Sequence, residues 1–400
     1  MKILHINYDD GLGGASRATL RLHQALLKKK IKSNLLLFKQ KNKIKNKSII
    51  VLKKNNFLNL FTRSLSYVVN RIHNLNKINF YRSYNFFNNS KLVNYINKSN
   101  YDLVHLHWVN SEMISIDDLS KINKKIVWTL HDLWPVLPTR HISLKTKLDF
   151  KKISKFDNYF YSKKKNFFKK DLSLICPSKF ISKKIASSEI SKRKFFKIIP
   201  NTIDINFWKR LNKLNCKKKF NFSKKKKIIL YNMPSKNDDF VKGLDIFLQI
   251  IKKLKLEDIK IVFFGSNRKN VLNKLNCDYK NIGFVRDDLK LRTLYNSADI
   301  VVSTSRFESF GQIILEAQCC GVPTVAFKHT GMDDIIMNNK TGYLVPNNNH
   351  ELVANKILSI LYKKKINITK KEIKKLKSKF SNENISKMHI NFYKKILNEK

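Results

Sequence analysis

Short apolar runs of strand character alternate with stretches of helical periodicity along most of the chain. Lys2–Tyr8 (KILHINY) predicts a buried strand. A glycine-rich turn follows it, then a helix from about Ala15 to Lys29 with Leu20, Leu22, Leu26 and Leu27 as apolar positions. Ser33–Phe38, Asp102–His107, Ile126–Leu130, Leu172–Pro177 and Lys197–Pro200 predict further strands, with a helix at Lys179–Ala186 between the last two. A second series opens at Lys227–Tyr231. It continues through an amphipathic helix ending at Leu254, a strand at Ile259–Gly265, a short helix at Leu289–Asn296, and strands at Asp299–Val302 and Thr324–Phe327. Asn347–Tyr362 reads as largely helical, and a last helix runs from Phe380 to about Leu397. The weakly patterned, Lys-rich stretch Lys209–Lys227 is the expected linker. Two such series imply an α/β protein of two doubly wound, Rossmann-like domains facing a cleft, over residues 1–208 and 209–375, with a helical segment at 376–400.

The last strand pair encloses a second kind of signal. After the loop Ser303–Phe307, a helix of about a dozen residues is expected to begin at Ser309 or Phe310. Gly321-Val322-Pro323 stops it. Glu308 and Glu316 bracket its start. Both on one helix would sit roughly 80° apart. Glu308 in the loop and Glu316 in the second turn would instead flank a ligand at the helix N-terminus. There the N–H groups from Phe310 to Ile313 and the helix dipole suit a phosphate. A capping Glu308 and an exposed Glu316 would leave the same spacing.

Composition bounds the class. The chain has 400 residues, 42% of them hydrophobic, enough for two cored domains. Its five cysteines form no CxxC pair, which fits a reducing compartment better than a disulfide scaffold. No apolar run approaches the ~18 residues of a spanning helix, and Asp9-Asp10 closes the short apolar start, so a cytoplasmic protein is expected. Lys and Arg number 81 against 29 Asp and Glu, a net charge of +52. Asn is overused together with Lys, so biased composition explains part of the excess. The resulting field still attracts anionic lipid at low salt.

Several positions carry chemistry of their own. Gly11-Leu-Gly13-Gly14-Ala-Ser16-Arg17 between strand and helix lets backbone approach a ligand closely, although it is not a dinucleotide GxGxxG. Lys242-Gly243 stands just before the first helix of the second series. His131-Asp132 lies at the C-terminal end of a strand, where open α/β sheets bind ligands. The helical pattern Phe57–Ile72, interrupted by Arg63 and Arg71, suits either the core or a membrane surface, and frequency favours the core. Lys145–Lys170 interleaves lysines with Phe150, Phe156, Tyr159, Phe160, Tyr161, Phe167 and Phe168. A helix with a buried aromatic face is expected there first, a membrane interface second and nucleic acid third.

Glu308-Ser-Phe-Gly-Gln-Ile-Ile-Leu-Glu316, with Ser297-Ala-Asp-Ile before it and Cys320-Gly-Val-Pro-Thr-Val after it, resembles the E-x7-E region of glycosyltransferase family 4. These are retaining enzymes of the GT-B fold that use nucleotide sugars. The resemblance extends to Pro200-Asn201-Thr202-Ile203-Asp204, where Thr202 replaces a usual Gly, and to Tyr279–Asp288, Thr330-Gly331 and Thr341-Gly342. His131-Asp-x-Trp134-Pro135 is similar to members that build bacterial surface polysaccharides, though Val136–His141 departs from their Gly/Cys-rich continuation.

The resemblance implies roles. Gly13 and Gly14 would face the donor diphosphate, Lys242 and the backbone of Ser309, Phe310 and Gly311 would hold it, and Val285 would lie at the nucleotide base. Glu316 would bind ribose, Glu308 the donor sugar, and His131 the transferred sugar. An upstream Arg common in relatives is missing, leaving Lys236 as a substitute. The C-terminal helix would cross back to the first domain. No cofactor and no metal is expected, in keeping with the lack of a DxD or histidine-cluster ligand set near the site. The implied partners are a UDP- or GDP-sugar, a saccharide or lipid-linked saccharide acceptor and an anionic membrane surface, not nucleic acid. Pattern alone also permits a dehydrogenase or epimerase, and a polyanion-binding protein on the same scaffold is the non-enzymatic alternative.

Overall fold

The computed structural model describes residues 1–11, 13–41, 46–52, 56–73, 81–148, 153–254, 257–363 and 366–398. The chain divides into two compact units, Met1–Thr202 with Asn382–Lys400, and Ile203–Ser381.

The first unit holds a parallel sheet of β1 (Lys2–Asp9), β2 (Lys32–Lys39), β3 (Ile49–Val51), β4 (Leu103–Leu106), β5 (Lys125–Thr129), β6 (Leu172–Cys176) and β7 (Phe196–Ile198), in the order β3-β2-β1-β4-β5-β6-β7. The chain reverses direction across the sheet at β1 and β4, a topological switch point where such sheets bind ligands. Side chains alternate between faces along a strand. Ile3, Leu103, Val127 and Ile175 therefore share one face, where Leu22 and Leu26 of helix Gly14–Lys28 and Ile385, Phe392, Tyr393 and Ile396 of helix Asn382–Asn398 close the core.

The second unit holds β8 (Lys227–Met233), β9 (Ile259–Gly265), β10 (Tyr279–Asn281), β11 (Ile300–Ser303), β12 (Thr324–Phe327) and β13 (Gly342–Val345), in the order β10-β9-β8-β11-β12-β13. Alternation is evident here. Ile228, Leu230, Val262, Phe264 and Val301 pack in one cluster, and Ile229, Tyr231, Ile261, Phe263 and Ile300 in another.

Several expectations shift. The expected boundaries at 208/209 and 375/376 both fall inside the second unit, because Ile203 pairs with Phe380 and Ser381 and Trp208 packs in that unit's core. The expected linker contains helix Lys213–Lys219, whose buried Lys217 donates to the Lys226 carbonyl at 2.6 Å. β3 and β13 fall where irregular chain or loop was expected.

Helix Lys155–Phe167 buries Phe160, Tyr161 and Phe167. Phe150, expected to contribute to the same aromatic face, lies outside the described residues, as does the side chain of Phe57.

Helix Asn56–His73 reverses the expected orientation. Thr62 is buried and Ser66 donates to Glu112 at 2.6 Å, so the polar side faces the protein. Phe61, Leu65, Val68 and Ile72, spaced as one helical stripe, are 41–64% exposed.

Candidate active site

In the second unit, the loop after β8 is pressed against the end of β11. Gly243 has φ 67°, and a Cβ there would sit 2.0 Å from the Thr304 carbonyl oxygen, so no other residue fits unstrained. Thr304 donates its hydroxyl to the Gly243 carbonyl at 2.7 Å. Arg306 forks onto Asp245 at 2.7 and 2.6 Å and also donates to the Phe240 carbonyl at 2.7 Å. These bonds bring the Lys242 ammonium 2.8 Å from the Glu308 carboxylate, with both side chains partly exposed. Burial works against the Lys242 charge, but Glu308 and then Asp238 outweigh it and raise its pKa.

The helix expected from Ser309 or Phe310 begins at Gln312 and spans eight residues, Gln312–Cys319. The late start has a cause. The Glu308 carbonyl accepts from Gly331 N–H at 2.7 Å, and Gly311 turns left-handed at φ 100°. Gly311 at the N-cap has no side chain to cap the helix, so among the described residues no cap hydrogen bond competes with an anion for its positive end at Gln312 and Ile313. The Gln312 side-chain amide is buried without a hydrogen-bond partner among the described residues. Glu316 lies in the second turn. It is not exposed, and its buried carboxylate accepts from the Tyr295 hydroxyl at 2.9 Å.

In the first unit, His131 follows β5. His131 Nε2 lies 3.0 Å from His107 Nδ1, and His107 Nε2 lies 3.0 Å from His5 Nδ1. Burial pushes the His131 pKa down to about 4, so it is neutral at pH 7. Its neighbour Asp132 is a scaffold. It accepts from Trp108 Nε1 at 3.1 Å, from Trp134 N–H at 2.9 Å and from His141 Nδ1 at 2.6 Å. Beneath Trp134, the buried Lys164 Nζ, whose pKa burial holds well below the ordinary lysine value, donates to the Trp134 and Leu137 carbonyls at 2.5 and 2.7 Å and lies 3.8 Å from the indole centroid. Asp132 and Lys164 thus fix the loop that carries His131.

Three comparisons bear on this geometry. The family model for Glycosyltransferase Family 4 matches residues 12–207, and that for glycosyl transferases group 1 matches residues 212–379. The chain belongs to glycosyltransferase family 4. An uncharacterized 41.2 kDa protein in the cps region of Klebsiella pneumoniae is 24% identical over 68% of this chain and 71% of its own length. Sucrose-phosphate synthase from Thermosynechococcus elongatus superposes with a TM-score of 0.75 at 17% identity, covering 100% of both chains. Anabaena HepE in complex with UDP-glucose does so with a TM-score of 0.68 at 16% identity, covering 99% of this chain and 100% of the other. At these identities the structural likeness is one of fold, and that fold is GT-B.

Within this glycosyltransferase the sequence-expected residues fall into distinct settings. Lys242 and Glu308 meet directly. Gly13 and Gly14 are exposed at the start of helix Gly14–Lys28, and a Cβ on either would meet nothing closer than 3.9 Å. Neither φ nor packing demands glycine there, which leaves room for a ligand. Ser309 is half-buried, whereas the Val285 and Phe310 side chains belong to the core, so only their backbone can serve a ligand. Lys236 is exposed on a short 3-10 turn.

The expected lack of a histidine cluster is corrected. Nitrogens of His5, His105 and His107 lie within 4.8 Å of one another, next to His131. Sequence reasoning missed Tyr295, Gln312 and Arg306. It also missed the signal in His105-Leu-His107, whose spacing of two sets both imidazoles on one face of a strand end.

Proposed function

We propose that this family 4 glycosyltransferase moves a hexosyl group from a UDP- or GDP-sugar to a saccharide acceptor, with retained anomeric configuration. The Lys242–Glu308 pair beside an uncapped helix N-terminus carries the reading. As the anomeric C–O bond to phosphate breaks, negative charge grows on the diphosphate. Lys242 and the N–H groups at Gln312 stabilise it in place. Glu308 orients Lys242 and meets the sugar, while Glu316, steadied by Tyr295, takes ribose hydroxyls. His131 hydrogen-bonds the transferred sugar. The new bond forms from the acceptor oxygen on the same face, and the leaving phosphate oxygen accepts the acceptor's proton. No protein nucleophile and no metal enters this scheme.

The relative from a cps region supports an acceptor in capsule, lipopolysaccharide or exopolysaccharide assembly. Among the described residues no helix is long and apolar enough to cross a membrane. The outward apolar stripe Phe61-Leu65-Val68-Ile72, with Arg63 and Arg71 and no acidic residue in the helix, supports peripheral docking on anionic lipid, where a lipid-linked acceptor would lie. The reaction test is direct. Product formed from a UDP- or GDP-hexose should carry the donor's anomeric configuration by NMR. Replacing Glu316 with Ala should raise the donor KM at least as much as it lowers kcat, and an unchanged donor KM would remove the ribose role.

A further inference from the structure

The imidazole row behind His131 fixes more than its position. A neutral imidazole has one N–H and one lone pair, so each link of a histidine chain must point the same way. Two arrangements satisfy the row. In the first, His5 Nδ1–H donates to His107 Nε2, and His107 Nδ1–H donates to His131 Nε2. His131 then carries its own proton on Nδ1. In the second, every proton is reversed, and His5 must carry a proton on Nε2.

The end of the chain decides between them. His5 is fully buried, and its Nε2 has no hydrogen-bond partner among the described residues. The first arrangement leaves a bare lone pair there. The second leaves a buried N–H with no acceptor, the rarer and costlier defect. His105 does not bias the choice. Its two nitrogens lie 2.7 Å from the Tyr393 and Thr129 hydroxyls, and a hydroxyl can donate or accept as needed.

We infer that His107, backed by His5, is a positioning residue that locks His131 in the Nδ1–H tautomer, so that His131 meets substrate as a hydrogen-bond donor and not as a base. The part concerning substrate rests on the reading that His131 contacts the transferred sugar. The tautomer itself does not. A buried cation on His5, His105 and His107 is the competing use of the same side chains. Taking one nitrogen from each ring, it would have to displace hydrogen bonds on at least His105 and His107, and the cluster contains no carboxylate to offset its charge.

Long-range 1H–15N correlation on the histidine-labelled full chain at pH 7.5 tests the inference. The expected result is a pyrrole-type Nδ1 and a pyridine-type Nε2 for His131. The reverse pattern in the wild type overturns it, and so does stoichiometric zinc that stays bound through EDTA dialysis. His107→Leu should release the lock and populate the Nε2–H form. His107→Asn, whose amide N–H stands near the place of Nδ1, should retain it. In transferase assays His107→Leu should lower kcat about a hundredfold with donor KM little changed, and His107→Asn should recover most of that loss. A tautomer that switches while kcat holds would leave the lock standing and remove His131 from the reaction instead.

Discussion

The two units present their polar groups in opposite ways. In the second unit a charged pair, Lys242–Glu308, sits partly exposed on loops that Gly243 and Arg306 hold together. In the first unit the polar groups are neutral imidazoles set into the sheet, fully buried except at His131. Solvated ions tolerate the loss of a neighbour, whereas a buried neutral row works only while every member stays unprotonated. The contrast suggests a division of labour. In the proposed reaction one unit would offer charge to a leaving diphosphate, and the other an oriented hydrogen bond.

The largest expected effect breaks the charged side. Lys242→Ala should cost about a hundredfold or more in kcat. Lys242→Arg should recover part of it, and neither change should lower the melting temperature by more than a few degrees.

Acid separates the units next. Burial holds His5, His105 and His107 well below 6.5 and takes His23 to about 4 and His389 to about 3. The unfolded chain therefore binds more protons, and the stability present above pH 6.5 is lost as pH falls toward 4. Each such histidine contributes a slope of up to about 1.4 kcal/mol per pH unit. Lys242 behaves oppositely. Its raised pKa supplies stability that is lost only at high pH. Hydrogen exchange between pH 7 and 4.5 should show β1, β4 and β5 losing protection before β8, β11 and β12. Simultaneous loss would show that the imidazole row does not set acid stability.

The sequence made these halves unequally legible. Glu308, Glu316 and the Gly-x-Pro stop are neighbours in the chain, so a short motif announces them. Lys242 was recognisable only by its place before a helix, among 81 basic residues. The imidazole row assembles from β1, β4 and the turn after β5, and such register is invisible until the sheet order is known. The helix start was misplaced because Gly331, some twenty residues on, claims the Glu308 carbonyl. The inverted helix Asn56–His73 shows the same limit. Its periodicity identified a helix, but which face turned inward depended on Glu112, far along the chain.

Two smaller effects sharpen the picture. Tyr295→Phe should cost about 2 kcal/mol of stability, since it removes a buried hydrogen bond to a carboxylate, and should raise donor KM without changing kcat. Phe61→Ser with Leu65→Ser should abolish sedimentation with anionic phosphatidylglycerol vesicles. The melting temperature and activity on a soluble acceptor should stay as they are. Retained lipid binding would move the docking surface elsewhere.

The central claim is that the second unit binds a nucleoside diphosphate sugar at Lys242, Glu308 and Glu316. Thermal stabilisation should be measured against UDP, GDP, ADP, CMP and their common sugars, for wild type and Glu316→Ala. The account predicts a shift with one nucleotide family that is lost in the variant. No shift with any of them, alongside a large salt-sensitive shift with polyanions, would contradict it and leave a polyanion-binding protein on the same fold.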